Sequence, residues 1–448
     1  MRKRARCKAK IELHQIFTFT MQVSITIKRH FPDFLNLLAQ VSDQRKQPIY
    51  KVEELLMAVV AMFLFKRGSR NHADNTARKG SYCFNFERLF GCRLPDLDTS
   101  NRLLKQLDPK ELEEIKRKMV QLLLRAKVLN KYKLFGLYHL IGIDATGTHS
   151  FDYEPYPECP YKTYKSGKRK WTAYVLEAKI MCGNGFSFSM ATEWVKNPIN
   201  QDYEKQDCEL KAFKRLSEKI RQMYPRLPIA IAADGLYPND NVFKTCASNQ
   251  WRFIITLKDG NLPSIWEEVN LLKKAGALTT EKTYDIHGQH KISTEYCFLN
   301  SIAYKTHNIN FLETQIVTTA IQNNELPVKE RFVHITDLEV TNKNAKTISD
   351  YGRLRWKIEN EGFNAQKNSG YNLSHKYSRT SFCATQNYYQ CLQIAHMINQ
   401  LAHKSQRVQK MISSHDSLKS FEECIIVLLI AGNLTDFPTP NFNCQMRY

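Results

Sequence analysis

No stretch of this chain is apolar for long enough to cross a bilayer; Ile425–Ala431 falls far short of the ~20 residues a spanning helix needs. The start, MRKRARCKAKIELHQIF, is basic but has no apolar core segment and no small-residue cleavage site. Membrane insertion and export are therefore not expected, and a cytoplasmic, nucleoid-associated protein is. The 12 cysteines include no CxxC pair and no close Cys/His cluster, which argues against a zinc ribbon or a disulfide framework and for reduced core thiols. There is no internal repeat and no low-complexity linker, so domain boundaries are soft. Acidic residues are also scarce: 44 Asp and Glu face 65 Lys and Arg, a net charge of +21 with a pI near 9.4. Such a balance favours a polyanionic partner through counterion release, and nucleic acid is the foremost one.

Three acids stand out in what is present. Asp144 in LYHLIGIDATGTHS and Asp234 in LPIAIAADGLYP each end a short apolar run, Leu140–Ile143 and Ile229–Ala233, that reads as a buried strand. Glu359 in LRWKIENEGFN lies in an uninterrupted helical pattern over about 345–366. Taken singly, each acid also suits a turn or a helix cap. Taken together, two strand ends and a helix can bring carboxylates to one point and present them to divalent metal ions. Arg355 lies four residues before Glu359, on the same helical face, whereas Glu361 points nearly opposite.

The remaining pattern is α/β. Residues 1–135 read as a helical DNA-binding domain, with a buried helix over 52–65 and another opened by Asp108 and Pro109. Between them, 66–81 reads as a flexible basic loop in which Arg67 and Arg70 suit phosphate contacts. Residues 136–259 read as three strands in a meander, a crossover helix over 205–224, the strand before Asp234, a short helix and a further strand. Residues 260–340 read as a β-rich insertion, 341–380 as the return to the core with the third acid, and 381–448 as a helical C-terminal region. The segment KTYKSGKRKW carries Lys162, Lys165, Lys168, Arg169 and Lys170 interleaved with Tyr164 and Trp171, a composition suited to backbone contact and base stacking. Nearby residues are read as follows: Trp356 as core packing, His149 as a loop residue close enough to reach the metals, Asp207 as a first-turn acid, and Glu177 as the strand acid nearest the site.

The ordered set GIDATG, ADGLYP and RWKIENEGFNAQKN resembles the DDE transposases of bacterial insertion sequences, in the branch with a β-rich insertion and a Tyr-Arg-Glu-Lys signature around the third acid. The resemblance covers roughly residues 137–380. It implies an RNase H-like mixed-sheet core, Mg²⁺ (or Mn²⁺) as cofactor, and cleavage and strand transfer of double-stranded DNA at transposon ends and target. It also implies a homodimer holding two ends together. Asp144, Asp234 and Glu359 are then the catalytic, metal-holding triad, and Arg355 is the signature arginine. Tyr351 stands four rather than three residues before Arg355, and the position seven after Glu359 is Gln366, with Lys367 next to it; Lys367 is taken as a phosphate contact. A structure-specific nuclease that cuts without joining, and an inactive DNA-binding descendant, are the alternatives.

Overall fold

The computed structural model describes residues 13–199, 205–321, 326–412, 418–432, 434 and 446–448; the basic start and most of 433–445 lie outside them. Seven helices open the described residues: α1 (Leu13–His30), α2 (Phe34–Ala39), α3 (Val52–Leu64), α4 (Arg70–Ala77), α5 (Tyr82–Phe90), α6 (Leu97–Leu104) and α7 (Pro109–Arg125). Local sequence explains several of their starts. Asp96 and Asp108 accept from the backbone N–H of Thr99 and Lys110, and Pro109 needs no donor at the first helical position. α3 is buried along nearly its whole length, as its apolar run requires.

The segment 66–81, expected to be a loop, instead contains α4. Ser69 caps it by accepting from the N–H of His72, and Thr76 is buried beneath it. Its polar surface carries no apolar stripe, so periodicity could not reveal it.

The chain then builds a sheet from β1 (His139–Phe151), β2 (Tyr161–Thr163), β3 (Arg169–Met181) and β4 (Ser187–Val195). It continues with α8 (Glu209–Met223), β5 (Ile229–Ala233), α9 (Asp240–Ser248), β6 (Arg252–Thr256), α10 (Pro263–Lys274), β7 (Thr279–His287), β8 (His290–Tyr304), β9 (His307–Ala320) and β10 (Val328–Thr336). The 10 strands of the described residues belong to one mixed sheet, ordered β2-β3-β1-β5-β6-β10-β9-β8-β7, with β4 also pairing with β3. β1, β5 and β6 run parallel and every other pairing is antiparallel. The β3–β4 turn is made at Gly183-Asn184-Gly185, where Gly185 takes φ +90°. The β-rich stretch is joined to the rest by β10, which pairs with β6 and so continues the same sheet.

After the sheet come α11 (Ala345–Arg353), a wide π-helical segment (Ile358–Asn364), α12 (Ala365–Asn368), α13 (Phe382–His403), α14 (Gln406–Ile412) and α15 (Leu418–Ala431). The single helix expected over 345–366 is thus broken. α11 sits so close to the sheet at Gly352 that a Cβ there would meet the His334 ring at 2.7 Å. Beyond it the chain tightens, with the N–H groups of Arg355 and Ile358 bonding three residues back, before widening into the π segment. α13 shows more than one buried face: it is enclosed on nearly all sides. Its amides make this tolerable, because Asn387 donates to the carbonyls of Leu104 and Leu107 and Asn399 to that of Leu64. One continuous core joins the N-terminal helices, the sheet and α13. Every described cysteine is free, and among the described residues no helix is long and apolar enough to cross a membrane.

Candidate active site

β1 and β5 are parallel neighbours in which Ile143 stands opposite Ala233. Asp144 and Asp234 therefore directly follow that pair, at the carboxyl end of the parallel pairing, where ligands of open α/β sheets bind. Asp144 remains in the sheet, opposite Glu177 of β3, and its own carboxylate accepts from the N–H of Ala145 at 2.9 Å. Burial pushes its pKa up to about 7; Arg355 opposes that shift, while Glu359 and Glu209 add to it. Asp234 begins the turn after β5. One of its oxygens accepts from Leu236 N–H at 2.9 Å, and the other faces the Lys258 ammonium at 3.1 Å.

Glu359 comes from the π segment. Its carboxylate holds Arg355 at 2.6 Å, and the same guanidinium nitrogen lies 4.0 Å from Asp144. A single cation thus bridges the first and third acids. Each turn of a π-helix takes up one more residue than an α turn, since its bonds run from i to i+5. Lys367, eight residues after Glu359, accordingly stays on the sheet side and donates to Thr146 Oγ1 at 2.7 Å, two residues along β1 from Asp144. Burial lowers its pKa and Asp144 counters that. Gln366 points the other way, fully buried and bonded to Gln393 and His396. Tyr351 is turned from the carboxylates and donates to the Tyr132 carbonyl at 3.1 Å. Glu361 pairs with Lys357 at 3.0 Å, away from Glu359. Trp356, expected in the core, is 47% exposed, with Lys357 over its ring.

Two residues of the site escaped the sequence reading. Glu209, the first residue of α8, accepts a 2.6 Å hydrogen bond from the hydroxyl of Tyr237, a side chain with no exposed surface. Burial raises the Glu209 pKa; Tyr237 counters it and Asp234 reinforces it. A fourth carboxylate therefore lies within electrostatic reach of both aspartates. The only local hint was that a buried tyrosine hydroxyl in ADGLYP would need a partner. Asp207, by contrast, precedes α8 and binds Arg215 at 2.6 Å. Glu177 shares the Asp144 face of the sheet but is wholly buried, accepting from Thr192 at 2.5 Å and sitting with Lys116 and Lys179. His149 packs edge-on against Phe151, and its pKa falls to about 4 because of burial first and then Lys376 and His375. It does not join the carboxylates.

The basic residues lie elsewhere. Lys162, Lys165, Lys168, Arg169 and Lys170 are all exposed on the β2–β3 hairpin, with Arg169 stacked on Tyr161 and Lys168 3.4 Å from Asp152. Phe151 pairs with Trp171 at the far end of β1, so the hairpin begins about seven residues, or roughly 23 Å, along the strand from Asp144. Arg70 pairs with Asp98 at 2.7 Å. Arg67 folds back to donate to the Phe65 carbonyl at 2.8 Å, facing Glu422 and Glu423.

Among the described residues, no three His, Cys, Asp or Glu side chains are already gathered as a metal cage. The donor set nevertheless suits a hard cation: oxygens only, with positive groups, Arg355 and Lys258, drawn onto the acids. No model of a known protein family matches the chain, and no curated protein was found similar to it.

Proposed function

We propose that the protein is a DDE transposase of the insertion-sequence type, which cuts DNA at the ends of a mobile element and joins the freed ends to target DNA. The observation that carries this reading is the meeting of Asp144 and Glu359 on one guanidinium, beside the strand end that holds Asp234. The strand order supports an RNase H-like core. Antiparallel β4, β3 and β1 are followed by β5 and β6 parallel to β1, with the first acid on β1, the second after β5 and the third on a helix beyond the β-rich stretch.

Mg²⁺ or Mn²⁺ held by Asp144, Asp234 and Glu359 would supply Lewis-acid activation of water and neutralise charge at the scissile phosphate. The chain's own groups act around that chemistry. Arg355 can leave the carboxylates for a phosphate oxygen, matching its fork to the anion. Lys367 places a second cation beside β1, and the Tyr237–Glu209 bond fixes the acid flanking the two aspartates. The exposed hairpin cations, Arg70 and the net charge of +21 suit the DNA backbone, and a homodimer would hold two ends at once.

The test is cleavage and joining of a duplex carrying the terminal repeats of the flanking element, with Mg²⁺. Wild type should cut and join, Glu359→Ala should do neither, and Glu361→Ala should do both. Cutting without joining would move the protein to the nuclease class. A wild type that binds DNA but does neither would make it a DNA-binding descendant.

A further inference from the structure

Between the N-terminal helices and the segment after α12 runs a groove of about 460 Å³. Arg70, at the start of α4, and Lys105, at the end of α6, line one wall; Lys376 and Arg379 line the other, with His375 between. Among the described residues no carboxylate lines it. Asp98 engages Arg70 from outside, while Lys105, Lys376 and Arg379 are all exposed. The His375 pKa is lowered by burial first and then by the nearby Arg70 and Arg379. Asp98 offsets the charge of Arg70 alone; the remaining like charges repel one another, and an anion relieves that repulsion. Hydroxyl and amide groups from Ser69, Asn71 and Ser378 add neutral hydrogen-bonding partners of the sort that phosphate oxygens use.

The groove is tied to the candidate active site by β1. The Lys376 ammonium lies 4.7 Å over the ring of Phe151, the last residue of β1, while Asp144 and Thr146 lie earlier on the same strand. Seven strand residues span roughly 23 Å.

We propose that this groove is a binding site for the phosphate backbone of duplex DNA, engaged beyond the end of β1 that lies away from Asp144. The assignment rests on the DNA-cleaving reading above. It adds three contacts, Lys105, Lys376 and Arg379, to Arg70, so the N-terminal helices and the segment around Lys376 would grip one stretch of duplex together.

Affinity for a short mixed-sequence duplex, measured over a range of salt, tests it. Each phosphate contact contributes about 0.9 to the slope of log K against log salt, so the triple variant Lys105→Gln, Lys376→Gln, Arg379→Gln should lose about 2.7 from the slope, and Lys105→Gln alone about 0.9. Lys105→Gln should keep the wild-type melting temperature, because that side chain is exposed, and the triple variant should lose little of it, because the one packing contact removed is that of Lys376 with the Phe151 ring. If wild type binds with a steep slope and the triple variant retains it, the groove assignment is overturned while the DNA reading stands. If wild type does not bind the duplex, both fall. If only duplex RNA shows the groove-dependent slope, the assignment to DNA is overturned.

Discussion

The hydroxyl of Tyr237, with no exposed surface, donates to Glu209 at 2.6 Å and so anchors an acid that raises the pKa of Asp144. Glu209→Gln removes that negative charge, and the Asp144 pKa should move down. Calorimetric titration of Mg²⁺ against pH, without DNA, should show the midpoint for binding shifted to lower pH. Tyr237→Phe leaves Glu209 without its donor and should destabilise the fold by about 1–3 kcal/mol in denaturant titration. An unmoved midpoint in Glu209→Gln would remove Glu209 from the site.

Asp144 makes a second pH prediction. Its folded pKa of about 7 lies above the ordinary value of 3.8, so the folded protein binds this proton more tightly than the unfolded chain. Its contribution is fully present below pH 4, declines as pH rises and is lost above about 7. Asp144→Asn should therefore be more stable than wild type at pH 8 without divalent ions, by on the order of 2–4 kcal/mol, with the gap closing towards pH 4. Melting curves across that range decide it, and Mg²⁺ should narrow the gap at pH 8.

Arg355 stands in as the counter-charge of Asp144 and Glu359. Arg355→Gln should lower the cleavage rate on the order of 10²-fold. It should also enlarge the rise in melting temperature that Mg²⁺ produces, because the acids lose their resident cation. A Mg²⁺ response equal to that of wild type would show that the guanidinium and the metal do not share these carboxylates.

Glu177 lies between two lysines, Lys116 and Lys179, and all three have 0% exposure. Glu177→Ala strands two buried cations and should cost about 3–5 kcal/mol. Pairing Glu177→Leu with Lys116→Met should recover much of that loss in urea unfolding. If the double variant is no better than the single one, the charges are not coupled.

The π segment makes a structural prediction. Deleting Asn360 should let it close as an ordinary helix while Lys367 keeps facing β1, so fold and cleavage should survive. Inserting one alanine after Asn360 turns Lys367 away by about 100° and should break its bond to Thr146. The comparison is read from melting temperature and cleavage rate, and equal behaviour of the two variants would contradict the geometry.

Much of the sheet could be read from the sequence because its signals are local. Ile229–Ala233 is a short apolar run before a turn, and the stretch 260–340, read as β-rich, carries β7 to β10. The proximity of Asp144 to Glu359 followed from strand and helix assignments, and Arg355 from a four-residue spacing. What stayed hidden depends on distant partners. α4 has no apolar stripe and is held by Ser69 and a buried Thr76; the buried amides of α13 find their acceptors at Leu64, Leu104 and Leu107, far away in sequence. Glu209 meets Tyr237 across 28 residues, a pairing that no periodicity encodes. The π segment has the polarity of an α-helix and differs only in how many residues each turn takes up.

The antiparallel seam between β10 and β6 gives the stretch from 260 to 340 a different standing from that of an appended module. Lifting it out would bare a row of unpaired N–H and C=O groups along β6, one strand from the strand that delivers Asp234, and an open edge of that kind invites pairing with other chains. Change in this region is therefore tolerated at its outer hairpin, where β7 turns into β8, and resisted at its root. Kin of different size should vary in the length of that outer hairpin while keeping the strand that closes the seam.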